Sequence, residues 1–212
     1  MDLLALATGF FLGVRHCLEP DHLTAVAHFA SASPSPRHGL RAGLLWGLGH
    51  GVSVLVIGLA LSAVRGPFAG FEPWTERLVG VTLIVLSIWR LRWLMRKIHV
   101  HEHVHENGLV HSHPHHHARE HLHLHAPTFT GLVHGAAGAF GVLALLAVSA
   151  PPVSIAWVAA AFGVGTLLAM GLAGWLAARL YAHAATAGWE RAAVALTAVS
   201  GFALGVFWIV SA

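Results

Sequence analysis

Apolar residues run through this chain in long blocks. Six hydrophobic segments can be drawn, at about Leu3–Ala30, His38–Ala63, Trp74–Met95, Phe129–Ser149, Val153–Tyr181 and Trp189–Val210. Each is near the roughly 20 residues a helix needs to cross a bilayer. Between them lie Pro- and Gly-bearing turns: Ser33-Pro34-Ser35-Pro36, Arg65-Gly66-Pro67, Ala150-Pro151-Pro152 and Ala187-Gly188. The pattern predicts an all-α polytopic membrane protein with six transmembrane helices and the lipid bilayer as its surroundings. A polar stretch from Ile98 to Pro127 divides it. Residues 1–97 then form a first three-helix half, 98–127 a His-rich loop, and 128–212 a second three-helix half.

The two halves resemble each other. Gly13-Val14-Arg15-His16 reads like Gly131-Leu132-Val133-His134, at an offset of 118 residues. Gly47-Leu48-Gly49-His50 reads like Gly163-Val164-Gly165-Thr166, at 116, and Glu76-Arg77 like Glu190-Arg191, at 114. Three spans per half is an odd number, so the repeats would be inverted in the membrane. Transporters built this way place their site at the repeat interface near the midplane.

Composition supports the membrane reading. The 212 residues are 56% hydrophobic and 10% charged, against about 25% charged in soluble domains. The net charge of +3 comes from loop arginines, and no basic patch is interleaved with aromatics, so nucleic acid is excluded as a partner. No phosphate-binding glycine loop is present, so this chain does not hydrolyse ATP. The single cysteine, Cys17, rules out an internal disulfide framework; beside His16 it is a soft ligand or, more in keeping with its size, a packing residue. Residues 1–29 do not read as a cleaved signal peptide, because no positive region precedes the apolar run. Arg37, Arg41, Arg90, Arg92, Arg96, Lys97, Arg119, Arg179 and Arg191 fall after spans one, three and five or at their ends; the opposite side holds Arg65 and Arg77. The positive-inside rule puts the first set in the cytoplasm. Both termini then lie outside a cell (inner) membrane, and the His-rich loop lies inside.

The first segment carries the chemistry. Arg15-His16-Cys17-Leu18-Glu19-Pro20-Asp21-His22 interrupts it with ionisable side chains that are costly in lipid. His16, Asp21 and His22 offer two nitrogens and one oxygen to a transition metal. Six residues apart on a straight helix, His16 and His22 would diverge, so the helix must break, and Pro20 provides the break by leaving the His16 carbonyl without its partner. Glu19 is an i, i+4 partner for Arg15 or a further pathway group. In span two, His50 lies mid-helix among Gly47, Gly49 and Gly51, as a ligand, a gate or a cross-helix hydrogen-bonding group. His134 opens span four, in the pathway or at the interface. His28, His38 and His183 read as solvated interfacial residues, and Trp74 and Trp189 as interface anchors.

The loop holds twelve histidines: His99, His101, His103, His105, His111, His113, His115, His116, His117, His121, His123 and His125. They are compositional metal binders without the fixed spacing of a closed site. A metallochaperone is the partner such a loop would meet.

The pattern His16-x4-Asp21-His22, preceded by Gly13-Val14-Arg15, resembles the signature of the nickel/cobalt transporter family. Leu48-Gly49-His50-Gly51-Val52-Ser53 is similar to that family's second motif. The resemblance implies secondary transport of Ni²⁺ or Co²⁺, with His16, Asp21, His22 and His50 as selectivity residues and no permanently bound cofactor. Uptake members have eight spans and this chain supports six. Leu18-Glu19-Pro20 and the His-rich loop are similar to the nickel/cobalt efflux branch, whereas Asp21 favours uptake. Three other readings stand beside it: movement of zinc or other divalent ions, a metal-buffering accessory membrane protein, and a metal-dependent intramembrane hydrolase with Glu19 as base. The last lacks a His-Glu-x-x-His motif, and the chain is not expected to be an enzyme.

Overall fold

The computed structural model describes residues 3–33, 35–64, 72–96, 101–104, 110–113, 125–138 and 152–212. Seven helices fall among them: α1 (Leu3–His16), α2 (Pro20–Ala30), α3 (Pro36–Val64), α4 (Glu72–Arg96), α5 (His125–Gly138), α6 (Pro152–Thr186) and α7 (Glu190–Ser211). Four helices, α3, α4, α6 and α7, are long and apolar enough to cross a membrane. The first hydrophobic segment is two short helices, and α1, with 14 residues, is apolar but too short alone. The fourth segment is described only up to Gly138, the rest lying outside the described residues.

The break in the first segment differs in detail from the sequence expectation. The His16 carbonyl is not left without a partner: the Glu19 amide donates to it at 3.1 Å, and the Leu18 amide to Arg15 at 3.0 Å. The chain winds out of α1 through a tight turn. Glu19 is extended (φ −65, ψ 142) and caps α2, with Pro20 in its first turn. There the missing N–H costs nothing, because first-turn amides have no helical partner. Proline starts the second helix rather than kinking one continuous helix.

The fold is all-helical as expected, and the His-rich loop adds one short hairpin that the sequence reading did not draw. His101–Val104 and Val110–His113 form an antiparallel pair, β1 and β2, with His101 opposite His113 and His103 opposite His111. The alternating His/Val/Glu/Ser composition and the intervening Asn107-Gly108 form a hairpin pattern in the sequence. α5 also begins earlier than drawn, at His125.

Close backbone contacts at glycines set the packing. Gly39 lies on Gly174, Gly43 on Met170, Gly47 on Leu167 and Gly51 on Gly163, so α3 and α6 run antiparallel along their length. Gly9 and Gly13 of α1 lie on Val158 and Phe162 of α6, in parallel. Gly131 and Gly135 of α5 lie on Trp46 and His50 of α3, also in parallel. A Cβ at Gly131 would collide with the Trp46 carbonyl, and one at Gly13 with the Phe162 carbonyl. Small residues permit such approach where no hydrophobic effect drives helices together. α4 pairs with α7 through Gly80 and Gly205. Large apolar side chains such as Val52, Val56, Leu168, Leu172, Val199 and Phe207 face outward, while His22, His28, His50, Arg90 and His134 are buried. Apolar outside and ionisable inside is the arrangement of a polytopic membrane protein.

Candidate metal centre

The helix break brings the widely spaced histidines together. His16 is the last residue of α1, and Asp21 and His22 lie in the first turn of α2. Their rings stand 4.3 Å apart between centroids. His50, from the middle of α3, closes the group, with its ring 5.2 Å from His16 and 5.3 Å from His22. One ring nitrogen from each of the three lies within 4.8 Å of the others. The Nε2 atoms of His22 and His50 approach to 3.4 Å. His22 and His50 are fully buried, and the His16 side chain is 10% exposed.

Carboxylates stand behind two of the imidazoles. Glu19 Oε2 lies 3.1 Å from Nδ1 of His16, and Asp21 Oδ2 lies 2.9 Å from Nδ1 of His22. The Asp21 approach is off the N–H direction, a close contact rather than an aligned hydrogen bond. A carboxylate on Nδ1 leaves Nε2 as the coordinating atom and fixes the ring, the usual support of a metal-binding histidine. Asp21 meets His22 from its Nδ1 side, and Glu19, Asp21 and His22 also form a second group whose ligand atoms lie within 4.8 Å of one another, so Asp21 remains a candidate donor as the sequence reading had it. The α2 N-terminus favours its negative charge. Glu19 faces His16 rather than the Arg15 expected from the i, i+4 spacing.

Aromatic rings wall the group. Trp46, one turn before His50, stacks on it at 5.1 Å with 23° between planes, and Phe162 of α6 lies near-parallel to it at 6.1 Å and 21°. His134 is fully buried, with its ring 5.6 Å from His22. Cys17 is buried with its Sγ 3.6 Å from the Thr166 carbonyl, and it belongs to neither candidate metal group among the described residues. Three imidazoles backed by two carboxylates make a set of groups suited to a divalent transition metal, since buried charge must be compensated.

A second buried polar group was not legible. His28, read as solvated, is 0% exposed, with Nε2 3.2 Å from Ser87 Oγ. Arg90, counted among interfacial cations, is also 0% exposed. Its Nη2 donates to the Ser31 carbonyl at 2.7 Å, and the guanidinium lies 4.2 Å from the Trp93 ring. This anchors the C-terminal end of α2, the helix that begins with Asp21 and His22. The Trp89-Arg90-x-x-Trp93 spacing was the available signal, since aromatic faces shelter a guanidinium. His183 is exposed, as read, and His38 lies in the first turn of α3. Of the loop histidines, His101, His103, His111 and His113 are in the hairpin and His125 opens α5; His99, His105, His115, His116, His117, His121 and His123 lie outside the described residues.

Comparison with known proteins adds two findings. A family described as the cytochrome C biogenesis protein transmembrane region matches residues 4–206. The urease accessory protein UreH of Bacillus sp. (strain TB-90) is 30% identical over 178 residues, covering 80% of this chain and 75% of the relative. No solved structure matches.

Proposed function

The chain belongs to the family of the cytochrome C biogenesis protein transmembrane region, and we propose that it is a secondary transporter moving Ni²⁺ or Co²⁺ across the cell membrane. The observation that carries this reading is the convergence of His16, His22 and His50 inside a membrane protein, with carboxylates on the far side of two of the rings. Ionisable groups at that depth mark ion pathways. The three imidazoles are the donors, and Asp21 and Glu19 orient them and supply the negative charge that a dication needs. One cysteine cannot form an internal dithiol, so thiol–disulfide exchange within the chain is not the activity. The relative is named as an accessory protein of urease, and a cluster of imidazole donors suits nickel among the divalent ions. Asp21 favours uptake as the direction.

Six crossings and an inverted repeat form part of the proposal, and the helix directions support both. With α1–α2 and α5 counted as crossings, alternation requires α1 parallel to α6, α5 parallel to α3, and α3 antiparallel to α6. The glycine contacts have those senses. They also occur as repeat mates: Gly13 on Phe162 matches Gly131 on Trp46, Gly165 on Phe10 matches Gly49 on Thr128, and Gly51 on Gly163 matches Gly47 on Leu167. The termini then lie outside and the His-rich loop inside, where a metallochaperone can meet it.

Proteoliposomes containing this protein alone test the proposal. Accumulation of Ni²⁺ against empty vesicles supports it. Stoichiometric binding without flux would instead support a metal-buffering accessory role. Competition by Zn²⁺ measures selectivity, because imidazole suits several of these ions.

A further inference from the structure

His134 stands just outside the three converging imidazoles, and its chemistry is already set. Its Nδ1 lies 2.9 Å from the Thr130 carbonyl. A carbonyl only accepts, so Nδ1 carries the proton and Nε2 carries the lone pair. That Nε2 is buried with no hydrogen-bond partner among the described residues. The ring lies edge-on to His22, 85° between planes. A buried imidazole nitrogen without a hydrogen-bond partner, on a ring that touches His22, has the properties of a ligand not yet engaged.

Repeat geometry gives this nitrogen a place in the cycle. His134 is the mate of His16, and Trp46 the mate of Phe162. His16 packs on Phe162 at 5.5 Å and His134 packs on Trp46 at 5.4 Å, the same contact made by opposite halves. His22 touches both mates, 4.3 Å from His16 and 5.6 Å from His134, and His50 touches His16 and stacks on the Trp46 ring that His134 packs against. In an inverted repeat, mates sit on opposite sides of the midplane. Resting on the transport reading above, we propose that His134 is the exchange ligand for His16: the ion is held by His16, His22 and His50 in one state, and by His22, His50 and His134 in the other. The donor count stays at three while the open side changes, and the ion is never left uncoordinated.

The test uses the full chain, with Co²⁺ visible absorption in detergent and Ni²⁺ flux in proteoliposomes. His134→Asn keeps an amide donor where Nδ1 stood and removes Nε2; His134→Gln places an amide near the Nε2 position and serves if the first variant fails to insert. The proposal expects His134→Asn to keep the resting Co²⁺ site, with wild-type stoichiometry and an unchanged spectrum, while flux falls roughly 10–100-fold. His16→Asn should weaken the resting site itself. Wild-type flux in both His134 variants would overturn the proposal. So would loss of the resting Co²⁺ site in His134→Asn to the extent seen in His16→Asn, since His134 would then be an ordinary ligand. A wild-type protein that neither binds nor moves metal would overturn the transport reading itself, a result distinguishable from either.

Discussion

Replacing Asp21 by asparagine separates a donor from the group behind a donor. The carboxylate is 5% exposed and 2.9 Å from Nδ1 of His22. Asparagine has nearly the same shape, so the change removes charge and leaves the packing. Loss of a carboxylate behind a metal-binding histidine costs about 10–100-fold in metal affinity, or roughly 1.4–2.7 kcal/mol. The fold should lose less. A charge at a helix N-terminus contributes about 0.3–1 kcal/mol, and asparagine is tolerated there. Titration of the purified protein with Co²⁺, read by visible absorption, measures both quantities. The expected result is weaker binding at unchanged stoichiometry, with band positions unchanged because the three nitrogen donors remain. A shifted spectrum would mean that Asp21 is itself a ligand. Unaltered affinity would refute the orienting role.

Three further expectations follow from other parts of the molecule. Arg90→Leu removes a hydrogen bond from a charged donor to Ser31, worth about 1.5–3 kcal/mol; the thermal midpoint in detergent should fall and Co²⁺ affinity with it, because Ser31 ends the helix that begins with Asp21 and His22, and an unchanged midpoint would contradict the anchor. Deleting residues 99–125 and joining the ends with a flexible linker should lower total metal stoichiometry without abolishing flux; complete loss of flux in a well-inserted protein would make the loop part of the pathway. Flux should fall as pH drops toward 5, because imidazole binds metal only when neutral and ordinary histidine titrates near about 6.5; a rate constant from pH 7.5 to 5 would contradict histidine ligation.

The hydrophobic blocks and Pro20 made the membrane class and the broken first segment legible, because both are local properties of the chain. The direct contact between His16 and His22 followed from the same break. Its form did not: proline in a first helical turn and proline in a kink leave the same letters, and only the Glu19 amide on the His16 carbonyl separates them. Likewise the face of His22 that Asp21 meets was not legible, because it depends on backbone direction. His28 and Arg90 were misplaced because burial there is made by α2, α4 and α7 together, and Gly201 of α7, far away in sequence, closes over His28 and Ser87. The repeat was visible in three short matches, and the mate contacts at glycine extend it to a spatial pattern.

The most direct test of the transport account is Ni²⁺ flux into proteoliposomes holding wild-type protein or His22→Ala, with insertion and Co²⁺ binding measured on the same preparations. His22 touches His16, His50, Trp46 and Asp21, so every part of the proposed site meets at its ring. The account predicts accumulation by the wild type and flux at the level of empty vesicles for the inserted variant. Wild-type flux through inserted His22→Ala would contradict it.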